Sequence, residues 1–371
     1  MFRFHDLKSI HLEITNNCQA SCPMCARNDH GGLPNPLIKL KDWSLDDFKK
    51  IINKEVLSQI EHLYFCGNFG DPLVNNNLLE MCEYVRDNSD ILVRIHTNGS
   101  LRSEEWWKKL AKAMPKNHVV IFGIDGLVDT HHLYRIGTDW NKIIANARAF
   151  IQAGGIAEWA YIKFEHNQHQ VDDARKIADE VGFKSFTVKN TIRFLEPDYP
   201  VYDKTGETKY YIKPPTDNAV KFVDKDIIRQ FSTWYSSVEI DCQVKQNKEL
   251  YIDAFGHLYP CCWMGSTQYQ YNKPDTIIYP YKQQSVKEQG EWLLDLGGQD
   301  ALDLNKVSIK EVLDSKKWET IWDTYWHNKK MLVCAKNCGN TKLGTSSQHV
   351  TGFCTSFVTS ISQHSWTNCG N

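Results

Sequence analysis

From residue 9 to about residue 190, short runs rich in β-branched and aromatic residues alternate with longer stretches whose apolar positions recur at helical spacing. The runs SIHLEIT, HLYFCG, ILVRIHT, VVIFGID, WAYIKFE and SFTVKN read as strands, and helices are expected to begin near Ser44, Asn75, Ser103, Thr138 and Val171. Ser44 with Asp47 has the spacing of an N-cap followed by an acid in the first turn. Strand and helix taking turns is the pattern of βα units around a parallel sheet. Six such units make an α/β fold, a partial (β/α)6 TIM-like barrel, two units short of closure and open at a lateral mouth.

Beyond residue 190 the pattern breaks into FLEPDYPVYDKTGETKYYIKPPTDN, rich in Pro, Tyr and charge and without sustained period. This reads as a linker over 196–235 between a barrel, 1–195, and a smaller C-terminal α+β cysteine-rich domain, 236–371. That domain is expected to hold a hairpin in LYIDAFGHLYPCCW with its turn at Phe255–Gly256, a polar aromatic stretch, helices near 308–330 and a draped Ser/Thr/Gln-rich tail. No internal repeat is present.

The 371 residues, 42% hydrophobic and 24% charged with a formal net charge of −2, have a globular composition with no general pull toward nucleic acid or anionic membranes. No signal peptide and no run of about 18 apolar residues is found, so a cytoplasmic protein without a membrane partner is expected. Twelve cysteines is a high count for such a chain and points to metal ligation. Cys18, Cys22 and Cys25 lie near the N-terminus, seven cysteines lie beyond residue 240, and only Cys66 and Cys82 fall between, both expected as buried apolar thiols. Cys66 falls at the barrel mouth. Two separate metal sites are expected.

ITNNCQASCPMC places three thiols directly after the first strand, at the end of a barrel where active sites collect. Three thiolates on a four-iron cubane leave one iron open to a substrate or cofactor. The alternatives are a zinc site completed by His30, or three free thiols. At these residues the chain resembles the radical S-adenosylmethionine (SAM) superfamily, whose CxxxCxxC loop follows the first strand of a partial barrel. GNFGDP after the second strand resembles the family's GGEP motif, which would bring Gly70 and Asp71 to the SAM amino group, with Asp in place of Glu. HTNGS after the third strand resembles the TNG step and brings in Thr97 and Asn98. GIDG after the fourth resembles SxDG, contributing Asp125, with Gly123 where a SAM-contacting Ser often stands. Arg135 sits where the family places an arginine for the SAM carboxylate, and Met24, at a position usually aromatic, would pack on adenine. Taken singly, Gly70, Gly99 and Gly126 read equally as loop glycines, Asp125 as a loop cap and Arg135 as a surface ion pair. Their order after successive strands carries the resemblance. It implies a [4Fe-4S] cluster and SAM as cofactors, and cleavage of SAM to methionine and a 5′-deoxyadenosyl radical that removes a hydrogen atom from an unactivated carbon.

Cys242, Gly256 and Cys261 match the opening Cys-x9-15-Gly-x4-Cys of SPASM and twitch domains, and Cys334 and Cys338 are spaced like neighbours on one helical face. The resemblance implies a second, auxiliary [4Fe-4S] cluster on these four cysteines. Only one piece of the longer SPASM cysteine run is kept, so the shorter twitch form is preferred. A structural zinc at the same four residues is the alternative, Cys262 competes with Cys261 as a ligand, and Cys354 and Cys369 have no assigned role. By resemblance, such proteins oxidise peptides or small metabolites and draw electrons from a flavodoxin or ferredoxin. The first strand begins by residue 9, so no N-terminal leader-peptide-recognition domain is expected, which weighs against the usual peptide maturase. The aromatic segments DYPVYDKTGETKYYIKPP and QYQYNKPDTIIYPYK are expected to cover the barrel mouth, either to bind substrate or as packing. The alternatives are a redox-neutral epimerase or isomerase, a nucleic-acid modifier, which the charge disfavours, and a non-catalytic Fe-S or zinc scaffold.

Overall fold

The structure is a computed structural model that describes residues 1–191, 193–194, 197–216, 233–269, 279–328 and 331–340. Cys354, Cys369, the polar tail and most of the second aromatic segment lie outside the described residues. Six parallel strands, β1 (Ser9–Leu12), β2 (His62–Phe65), β3 (Leu92–Thr97), β4 (His118–Gly123), β5 (Ala157–Lys163) and β6 (Ser185–Asn190), pair in chain order and coincide with the six runs read from the sequence. The sheet does not close, which leaves the lateral mouth.

Helices follow the strands and pack on the outer face. Ser44 caps helix Leu45–Ile51 in a full capping box with Asp47, Ser103 caps Glu104–Ala113, and Asp139, one residue beyond the expected start, caps Trp140–Gln152. The helix expected near Asn75 begins at Leu78, because the Asn75 side chain is spent bridging the carbonyls of Ile14 and Trp43 at 3.0 Å each. Trp107 anchors the helix–sheet layer, stacked on Phe122 at 5.0 Å and meeting Phe150 edge-on. Among the described residues no helix is long and apolar enough to cross a membrane.

Three features depart from the sequence reading. The hairpin strands β9 (Glu249–Ile252) and β10 (Leu258–Tyr259) extend the barrel sheet to eight strands, with β9 parallel to β1 in the register Ser9 to Glu249. All four residues of β9 are buried, so one hydrophobic core runs from Phe2 to Cys334. The hairpin turn itself is as expected: Gly256 has φ +84°, which only glycine adopts readily, and the Asp253 carboxylate accepts from the backbone of Phe255 and His257. The stretch read as a linker contains a second hairpin, β7 (Tyr199–Tyr202) and β8 (Thr208–Ile212). Its turn is tied by Asp203, which accepts from Thr205 and Glu207, a device hidden by the surrounding charge and proline. Finally, Tyr279–Leu296 is an 18-residue helix in what reads as polar sequence, held by the fully buried Trp292.

Candidate active site

Strand ends deliver the site. The loop after β1 carries Cys18, Cys22 and Cys25, turned by a Cys25 N–H bond to the Cys22 carbonyl at 3.0 Å. The Arg27 guanidinium donates to the Cys18 carbonyl and fixes the loop from within. The β7–β8 hairpin packs over the outside: Ala20, Cys22 and Met24 share a small core with Tyr134, Phe164, Val201 and Ile212, and Tyr199 Oη donates to the Pro23 carbonyl at 3.1 Å. His30 is held by Asp29 at 2.8 Å between the rings of Tyr199 and Tyr202, so it serves loop packing. Within the first aromatic segment, Tyr199, Val201, Tyr202 and Ile212 thus pack on the cysteine loop.

The other motif residues converge on those thiols. Asp71, after β2, accepts from Thr97 Oγ1 at 2.9 Å, from the Asn98 backbone at 2.8 Å and from Asn98 Nδ2 at 2.6 Å, while Asn98 Nδ2 also faces Cys18 Sγ at 3.7 Å. Gln19, which the sequence reading missed, donates to Asn98 Oδ1 at 2.7 Å. Burial raises the Asp71 carboxyl, and the donors around it pull the other way. Asp125 is fully buried and accepts from Arg135 Nε at 2.6 Å and the Ile162 backbone at 2.6 Å. Burial works against the Arg135 charge, yet Asp125 and the neighbouring Cys22 hold its pKa above the ordinary value, and Nη1 lies 3.9 Å from Cys22 Sγ. Burial pushes the Cys22 thiol up to about 11 despite Arg135, and Cys18 further, with Asp71 adding to the effect.

Two glycines in these motifs are explained by space. A Cβ on Gly70 would overlap the Thr15 carbonyl oxygen, so the β2 loop can lie against the β1 loop only without one. A Cβ on Gly123 would come within 2.5 Å of Arg135 Nη2. A side chain at Gly123 would therefore require the guanidinium to shift.

In the C-terminal half, Cys242, Cys261, Cys334 and Cys338, drawn from three separate stretches, line one cavity with Trp322, Trp326 and Met264. The Ile240–Gly339 bridge and an Asp241 N–H bond to the Cys338 carbonyl at 2.8 Å bring Cys242 against Cys338, whose thiols are in hydrogen-bond contact. Cys261 arrives from β10, and Cys334 and Cys338 lie one turn apart on helix Leu332–Cys338. Cys262 is buried but does not line the cavity, and Cys82 is a core thiol. Among the described residues, no three His, Cys, Asp or Glu form a group that could hold a single metal ion.

Residues 12–190 match the profile described as Radical SAM superfamily, and this stretch of the chain is a radical SAM domain. Among curated proteins, the chain is similar to a tungsten-containing aldehyde ferredoxin oxidoreductase cofactor-modifying protein of Pyrococcus furiosus, 30% identical over 135 residues covering 35% of this chain and 34% of that protein. It is also similar to a 7,8-dihydro-6-hydroxymethylpterin dimethyltransferase of Methanocaldococcus jannaschii, 26% identical over 145 residues covering 37% and 27%. The matched region spans about a third of the first relative's length and about a quarter of the second's. Among solved structures, Streptococcus suis SuiB bound to its precursor peptide SuiA aligns with a TM-score of 0.52 at 14% identity, covering 91% of this chain and 72% of that one. Native anSMEcpe with bound AdoMet aligns with a TM-score of 0.50 at 16% identity, covering 92% of both chains. At these identities the likeness is one of fold, a mostly parallel eight-stranded α/β sheet like a radical SAM partial barrel.

A radical SAM domain implies a [4Fe-4S] cluster and SAM, and the residues here fit both. Three thiols share one loop, and an amide and a guanidinium face their sulfurs.

Proposed function

We propose that this chain is a radical SAM enzyme that removes a hydrogen atom from a peptide or small metabolite and oxidises it with the help of a second cluster. The observation that carries the reading is the convergence of Arg135, Asn98 and the Gly70–Asp71 loop around Cys18, Cys22 and Cys25. The cluster held by those thiolates would supply the electron that splits SAM into methionine and the hydrogen-abstracting 5′-deoxyadenosyl radical. Arg135 presents its donor fork to the SAM carboxylate, and Asp125, bonded at Nε, fixes the plane of that fork. The backbone at Gly70 and Asp71 meets the amino group, Asp71 sets the position of Thr97 and Asn98, and Met24 packs on adenine.

Cys242, Cys261, Cys334 and Cys338 would hold the auxiliary [4Fe-4S] cluster in a twitch-type domain following residue 235. Its support is a four-thiol cavity walled by indole rings, a dry setting suited to an electron acceptor. A cluster on these thiolates would supply a one-electron acceptor, so that a substrate that has lost a hydrogen atom could complete a two-electron oxidation by giving up one electron and one proton. A flavodoxin or ferredoxin is the expected donor for the first cluster.

The test is iron and sulfide content after anaerobic reconstitution, together with 5′-deoxyadenosine released from SAM under reductant. Wild type should hold about eight irons, and a Cys18→Ala, Cys22→Ala, Cys25→Ala variant about four with no deoxyadenosine. Wild type that releases no deoxyadenosine would overturn the enzymatic reading. About four irons in wild type, falling to none in the variant while zinc remains, would remove the auxiliary cluster and point to redox-neutral radical chemistry.

A further inference from the structure

We infer that Glu13 is a positioning residue that fastens the Phe69–Gly70 loop to strand β9 through Tyr251. Its place in function rests on the reading that the Gly70–Asp71 loop meets SAM.

Glu13 follows β1 and is 2% exposed. Its Oε1 accepts from two successive backbone donors, Phe69 N–H at 2.8 Å and Gly70 N–H at 2.9 Å, and its Oε2 accepts from Tyr251 Oη. Two adjacent N–H groups turned the same way have no strand or helix to receive them here, and a buried donor left without an acceptor is costly. One carboxylate oxygen satisfies both. The loop that begins at these two residues is pressed on the β1 loop, where Gly70 has no space for a Cβ, so a lost bond at Glu13 would free the segment at its tightest approach.

The far end of the carboxylate gives it a second role. Tyr251 lies on β9, pairs with Tyr259 of β10, and Tyr259 stands two residues before Cys261. A single side chain just past the first barrel strand therefore bonds both the Phe69–Gly70 loop and the hairpin that delivers a thiol to the C-terminal cavity. Tyr251 is itself 1% exposed and stacks edge-on against His11, so its hydroxyl is aimed and not free to find another acceptor.

The experiment is SAM binding by calorimetry to the anaerobically reconstituted full chain, with amide hydrogen exchange of the peptide covering 67–73 and the thermal midpoint measured on the same samples. Glu13→Gln keeps a carbonyl oxygen for the two N–H groups and should bind SAM within about threefold of wild type. Glu13→Ala should bind at least about tenfold more weakly, and Tyr251→Phe should speed exchange in 67–73 without contacting SAM. Glu13→Ala that folds and binds SAM as wild type does, or Glu13→Gln as impaired as Glu13→Ala, would overturn the assignment. Should Glu13→Ala not fold, unchanged exchange at 67–73 in Tyr251→Phe does so instead. Wild type that binds no SAM would sink the functional reading alone, because the exchange data still report on the tether.

Discussion

Replacing Glu249 by Gln tests the buried charge that the β9–β1 pairing creates. Glu249 opens β9, is 3% exposed and accepts from Tyr64 Oη on β2, across β1. Burial pushes its carboxyl from the usual 4.5 up to about 7, and the Tyr64 bond offsets this only in part. A carboxyl raised in the fold binds its proton more tightly there than in the unfolded chain. Its contribution to stability is therefore intact below pH 4.5 and is lost as pH rises toward 7. The raised value corresponds to about 3 kcal/mol lost by pH 8, of which about 1 kcal/mol is already lost at pH 5.5. Glu249→Gln stays neutral and keeps an oxygen for Tyr64. It should exceed wild type in stability by about 3 kcal/mol at pH 8 and by about 1 kcal/mol at pH 5.5 in anaerobic urea titrations. Part of the wild-type pH slope should survive in this variant, because Glu13 is also raised to about 7 by its burial. A difference between variant and wild type that does not change with pH, or a less stable variant at pH 8, would refute a buried carboxyl at this sheet junction.

Gly70→Ala should cost about 1–3 kcal/mol in the same titrations, because its Cβ forces the Thr15 carbonyl to move. Gly123→Ser should displace the Arg135 guanidinium and weaken SAM binding by about tenfold, read by calorimetry, with iron content unchanged. Asp125→Asn removes the charge partner of a buried guanidinium and should destabilise the chain by about 3–5 kcal/mol, measured as a lower urea midpoint. Cys334→Ala should leave about four irons of eight while deoxyadenosine formation persists, read by iron analysis and chromatography.

The alternation of β-rich and amphipathic runs was enough to locate all six parallel strands, since strand and helix periodicity is a local property that each segment carries alone. The same holds for the Ser44 and Ser103 caps and for the Gly256 turn. The site motifs were legible for a related reason: each sits directly after a strand, and in a parallel barrel all strand ends meet on one face. Which atoms touch was decided only in three dimensions. Asp125 was legible as a motif residue, but that its carboxylate turns Arg135, and that Gly123 lies against that guanidinium, depends on close contacts between two loops. The β9 addition to β1 joins residues 240 positions apart, and no local pattern encodes such a register; burial on both faces of β9 fixed it. The β7–β8 hairpin was masked because its few apolar residues bury against the cysteine loop and have no core of their own. Glu13 was unreadable for the same cause: a lone acid at a strand end becomes a tether only when a loop from 69–70 and a tyrosine from 251 fold onto its two oxygens.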